Sequence, residues 1–227
     1  EIVLATRAYG WFKENPNELC DTVRHLTDDT LFQPGADAIK FFFRRVGVIS
    51  GFIVNAEKAK KLSSDLFDGR LYYQMYLAGM LMAEGQGYYF SDVMTLSRDT
   101  EAPDFGNAGT EKGVFTPGGY KPEGRIHMVE GLLLIAKYIE DTTKIDGVYA
   151  GIRKDLANYF YPYIRDQLDL PLYTYIKMIN KFRKMGFSNE KLFYVHAFLG
   201  YVLKRRGYDA LIKYIRSKKG GTPRLGI

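Results

Sequence analysis

Hydrophobic and polar positions change rhythm part-way along this 227-residue chain. Before Gly124, short β-branched or alternating runs are interleaved with short helical patterns; beyond it, apolar residues recur three and four apart almost to the end. Residues 2–7 read as a strand, after which Gly10 and Asn15-Pro16-Asn17 mark a turn, and residues 17–23 read as a short helix or an irregular segment. Pro34-Gly35 opens a helix over residues 36–45, since proline at a helix start loses no needed N–H, and Ala38, Ile39, Phe42 and Phe43 share one face. Residues 48–54 predict a central strand, and 56–62 a charged helical turn. Asp68-Gly69 caps a helix over 70–84 with Leu71, Met75, Ala78 and Met82 on one face, and 88–96 is the last strand.

Residues 97–123 hold five Gly and three Pro with no sustained period, the pattern of a long substrate-facing loop. Helices are then expected over 125–141, 148–161, 170–185, 189–206 and 208–219, split by Gly147, Pro162, Pro171, Gly186 and Gly207. Gly186 and Gly207 each follow basic residues, as C-terminal caps do at the negative end of a helix dipole. The expected fold class is α/β: a partial mixed sheet in residues 1–123, followed by a mostly α-helical region in 124–227. No fixed-period repeat supports a solenoid.

Composition sharpens this picture in three ways. A hydrophobic share of 46% and an aromatic share of 15% allow one sizeable core. The single cysteine, Cys20, excludes an internal disulfide framework and points to a reducing, cytoplasmic setting. No apolar run approaches the roughly 20 residues of a membrane-spanning helix. The net charge of +6 gathers toward the end, in Lys204, Arg205, Arg206, Lys213, Arg216, Lys218, Lys219 and Arg224, where anionic lipid, nucleic acid or solvent are alternative neighbours. The chain opens on a strand-like run with neither an initiator Met nor a signal-peptide pattern, which suggests a fragment or processed product.

No Walker, Gly-x-Ser-x-Gly or His-Glu-x-x-His element occurs, so NTPase, serine-hydrolase and zinc-protease readings have no support. His25, His127 and His196 lack metal-ligand spacing; His127, beside Arg125 at an expected loop-to-helix junction, could meet a diphosphate. Thr27-Asp28-Asp29-Thr30 superficially resembles the Asp-rich metal element of GT-A glycosyltransferases, but too few residues precede it for a nucleotide-binding sheet, and a polar loop capping a helix is the favoured reading.

A broader resemblance covers roughly the first hundred residues. Arg7-Ala8-Tyr9-Gly10-Trp11-Phe12, Ile49-Ser50-Gly51-Phe52-Ile53-Val54-Asn55, Tyr73-Gln74-Met75-Tyr76-Leu77 and Gly85-Gln86-Gly87-Tyr88-Tyr89-Phe90 together resemble the second half of family 2 inverting glycosyltransferases. Similarity is closest to abequosyltransferase-like members that build surface polysaccharides. The resemblance implies the acceptor half of a GT-A domain, with a nucleotide sugar and Mg or Mn held by the other half in the complete enzyme. Partners would be the nucleotide sugar and a carbohydrate or lipid-linked acceptor. The family commonly places a Glu-Asp pair, one of them the base, where Tyr73-Gln74 stands here, and an amide cannot take a proton. Asp68 is therefore the candidate base, with Asp65, Glu101 and Asp104 as alternatives. Ser50, Gln74, Arg98, Asp99, Glu101, Asp104 and His127 are candidate substrate contacts, and Arg98 suits a bidentate grip on a phosphate or sugar. The expected location is the cytoplasm, peripheral to the inner face of a membrane that the basic end touches. The competing reading is a non-enzymatic helical module whose basic end contacts nucleic acid or protein, with Tyr201, Tyr208 and Tyr214 stacking on bases or buried in a bundle.

Overall fold

The computed structural model describes residues 1–68, 70, 72–98 and 121–218. The chain is mixed α/β. Its sheet is built on β1 (Ile2–Phe12), which pairs in parallel with β5 (Gln86–Arg98) along its length. On the other edge of β1 lie β2 (Leu19–Val23), opposite Tyr9 to Phe12, and β4 (Ile53–Val54), opposite Leu4 and Ala5. β3 (Thr30–Phe32) closes the far side of β5 antiparallel, giving the order β2-β1-β5-β3.

Between β1 and β5 the chain forms α1 (Ala36–Arg45), α2 (Ala56–Leu62) and α3 (Tyr73–Glu84). α1 forms where its signals place it: Gly35 precedes it, Asp37 sits in the first turn and Arg44 and Arg45 in the last, matching the helix dipole. Its Ala38, Ile39, Phe42 and Phe43 are buried, and Phe42 reaches Gly87 on β5. α2 starts at Asn55, whose side chain accepts from the Lys58 N–H.

The remaining helices are α4 (Pro122–Thr143), α5 (Val148–Asn158), the short α6 (Tyr161–Ile164), α7 (Leu172–Lys184) and α8 (Lys191–Lys218). One hydrophobic core joins them to the sheet, running from Val3 and Leu4 through Phe42, Leu81 and Ile139 to Phe160, Phe193 and Ile212. Where α4 crosses α3, Ile139 lies directly against the Gly79 backbone. Arg44 and Arg45 of α1 both reach Asp155 of α5, at 3.0 and 3.2 Å.

Four expectations need correction. Residues 48–54 are not a central strand: 48–52 form a turn, closed by a Phe52 N–H bond to Ile49 O, and only Ile53–Val54 pairs, at an edge. Gly51 has φ 78°, a conformation outside the strand region that its β-branched neighbours concealed. Residues 19–23 are a strand, not a helix, because the open edge of β1 offers unpaired backbone groups. β1 itself passes through Gly10 without turning, and the missing side chain there admits Leu19 and Leu96. Finally, α8 breaks at Lys204 (φ 57°, ψ 175°), not at Gly207. Lys204 Nζ bonds Leu168 O at 3.2 Å and caps the Tyr201 ring, while four residues later Tyr208 re-enters the core. Tertiary contacts, not local propensity, choose that break.

Candidate functional site

Period-two alternation leaves one face of a strand for solvent, but β1 is covered on both sides, so Thr6, Arg7, Ala8 and Tyr9 are all buried. Arg7 is the exception to the chemistry of a core, with only 2% of its surface exposed. Its Nε donates to Thr95 Oγ1 of β5 at 3.1 Å, and its guanidinium lies 5.0 Å from the Tyr9 ring centre. Both terminal nitrogens, Nη1 and Nη2, lack a hydrogen-bond partner among the described residues. Burial depresses its proton affinity, against the opposing influence of Tyr9 and Tyr89. A buried guanidinium without a counter-ion costs several kcal/mol unless an anion joins it.

The turn at residues 49–52 is laid over this pair. A Cβ on Gly51 would stand 2.2 Å from Thr95 Oγ1 and 2.6 Å from Arg7 Nε, so only glycine allows the approach, and it leaves Ser50 exposed alongside. His25 is also buried, with Nδ1 unpartnered among the described residues; its backbone N–H donates to Tyr89 OH at 2.8 Å. Burial, then the positive fields of Arg45, Arg44 and Arg7, hold its imidazole neutral, well below the ordinary range. The charge environment beneath the turn is thus cationic.

A second group forms where the segment before α3 meets α4. Arg70 Nη1 stands 3.2 Å from His127 Nδ1, 3.4 Å from Nε2 and 3.7 Å from Glu130. Asp68, two residues before Arg70, is exposed on a turn closed by its N–H to Asp65 O. Because α4 begins at Pro122, His127 lies in the helix beyond its first turn, not at a loop junction. Arg125, expected beside it for a diphosphate, is ion-paired with Asp166. Gln74 donates to Gly47 O at 3.4 Å, joining α3 to the end of α1. Arg98 donates from Nε to Lys13 O at 3.0 Å, holding β5 to the end of β1. Asp99, Glu101 and Asp104 lie outside the described residues.

The structure therefore places Ser50 next in sequence to the glycine that approaches Arg7 and Thr95, brings His127 to Arg70, and gives Gln74 and Arg98 backbone partners. Arg7, Thr95, Arg70 and Glu130 were missed by sequence reasoning. A cation inside the uninterrupted strand run Val3 to Tyr9 was the available signal for Arg7; the other three are joined only by folding.

The Asp-rich segment does not fit a divalent cation. Asp29 Oδ1 accepts from the Ser91 N–H and Oγ, both at 2.8 Å, and Oδ2 from Tyr88 OH at 3.3 Å. Those bonds, with Ser91 first, draw its carboxyl below the usual range and tie the loop to β5, not to α1 as a cap. No group of three or more His, Cys, Asp or Glu is gathered among the described residues. Compared with protein-family models, curated proteins and solved structures, the chain matches none.

Proposed function

We propose that this chain is the acceptor-side part of a nucleotide-sugar-dependent, inverting glycosyltransferase of surface polysaccharide or glycolipid synthesis, working at the cytoplasmic face of a membrane. The observation that supports this most is the Gly51 turn seated on Arg7, whose two terminal nitrogens have no partner among the described residues and, once that turn lifts to admit a ligand, suit the oxygens of a phosphate or diphosphate. An acceptor carried on a lipid diphosphate has such a group beside its sugar.

In the reaction, an acceptor hydroxyl oxygen forms the new bond to the anomeric carbon as the bond from that carbon to the nucleotide diphosphate breaks. The electron pair leaves with the diphosphate, and the hydroxyl proton passes to a carboxylate, for which exposed Asp68 is the candidate. Arg70, two residues after Asp68, meets both His127 and Glu130. Mg or Mn would be held by the nucleotide-binding half.

Isothermal titration of the chain with a short-chain polyprenyl-diphosphate sugar tests the reading. Saturable binding weakened about tenfold or more in Arg7→Met is expected, tenfold corresponding to one lost charge-assisted contact. Absence of binding, or equal binding by Arg7→Met, overturns it.

A further inference from the structure

Residues 192–203 carry no charged side chain over twelve positions, yet they form an exposed helix. The inner face of this first half of α8 is satisfied: Phe193, His196, Ala197 and Gly200 are buried, and His196 sits between Tyr208 OH at 2.6 Å and Asn158 O at 3.1 Å. The outer face is apolar without interruption. Leu192, Val195, Phe198, Val202 and Leu203 all project, Phe198 with 68% and Val202 with 58% of their surface exposed. A contiguous apolar patch of this kind on a water-soluble surface marks an interaction site.

The patch has cations at both ends: Lys191 before it, and exposed Arg205 and Arg206 after it. Tyr175 of α7 reaches the inner side of this segment, its hydroxyl bonded to Ala197 O at 2.8 Å and its ring stacked on Tyr201, which leaves the outer side uncovered by α7. Apolar side chains bordered by a lysine and two arginines match the acyl region and phosphates of an anionic lipid leaflet.

We infer that the outer face of residues 192–203 in α8 docks in the plane of an anionic lipid bilayer. Length fixes the in-plane mode: twelve helical residues reach about 18 Å, short of the ~30 Å hydrocarbon core. No helix among the described residues is long and apolar enough to cross it. Charge selects the partner. A second copy of the chain would bring the same cationic borders together across a two-fold interface, whereas a nucleic acid would neutralise them but leave the apolar face in water. Lys204 is not a lipid contact in this arrangement, because its ammonium is held by Leu168 O. The inference rests on the membrane placement proposed above and is independent of the sugar chemistry.

Flotation of the full chain with phosphatidylglycerol–phosphatidylcholine vesicles, against phosphatidylcholine alone, tests it. The unchanged protein should float with the mixed vesicles only, and raised salt should weaken the association. Phe198→Asp/Val202→Asp should lower partitioning about a hundredfold, since two buried apolar side chains are lost. Arg205→Glu/Arg206→Glu should lower it about tenfold. Circular dichroism should match for all forms, because every changed position is exposed. No flotation of the unchanged protein overturns the inference, as does equal flotation of the Asp variant. Concentration-dependent dimerisation that the Asp variant abolishes, without vesicle binding, assigns the face to a second copy instead. Diphosphate binding in the absence of vesicles reads the proposed chemistry separately, so the two can fail independently.

Discussion

The sheet half and the helical end of this molecule depart from ordinary packing in opposite directions. Among the described residues, a charge under the Gly51 turn is kept from water without a counter-ion, whereas along α8 a row of apolar side chains is kept in water without a cover. Each is unfavourable in the isolated chain, and neither is explained by the neighbours it has. The contrast with Arg44 and Arg45 makes the first case plain: those guanidiniums are buried too, but share Asp155. Charge burial in this fold is therefore normally compensated, and Arg7 is the departure.

Removing Asp155 should have the largest effect on that contrast. Asp155→Ala strands two buried arginines and should lower stability by about 3 kcal/mol, read from urea unfolding. A loss within experimental scatter would mean that the fold tolerates uncompensated cations generally, and Arg7 would cease to be special. Arg7→Met should do the reverse, raising stability by about 1–2 kcal/mol in the absence of ligand because an unpaired charge is replaced by an apolar chain of similar length. Destabilisation by Arg7→Met would mean that the guanidinium is satisfied where it lies.

Acid should act mainly through the histidines. Burial holds both His25 and His196 below their ordinary value, so between that value and their folded one the unfolded chain binds more protons than the folded chain. Their contribution is complete above about pH 6.5 and is lost as pH falls below it, by up to about 1.4 kcal/mol per pH unit for each. Thermal melts at pH 7.5 and 5.5 should show the drop, and His25→Gln should shrink it; a flat profile in the unchanged protein contradicts the burial of both rings. The smallest effect belongs to the helical end: Phe198→Ser should change unfolding stability by no more than about 0.5 kcal/mol, since an exposed side chain has little to lose. A larger loss would place Phe198 in the core.

Much of this architecture was legible in the order of residues. α1 could be bounded because proline, glycine, an acidic first turn and a basic last turn all agree with its apolar face. The helix-rich second half and a strand over residues 88–96 followed from period alone, but not that strand's parallel pairing with β1. What escaped was decided by contacts distant in sequence. β4 is short because Gly51 turns away to meet Arg7 and Thr95, and β2 exists because β1 has a free edge. In the candidate site, His127 acquired a cationic neighbour, whereas Gln74 and Arg98 acquired backbone carbonyls instead. Side-chain chemistry named those residues; only folding assigns their partners.

The backbone reversal at Lys204 has a practical consequence for anyone who shortens this protein. Residues past that point look like an appendage, yet Tyr208 and Ile212 are anchored inside, with the Tyr208 hydroxyl on His196 and its ring against Tyr161. Clipping the chain after Arg206 would thus unplug the interior at the same stroke as it discards cations, and a lost activity would be credited to the wrong cause.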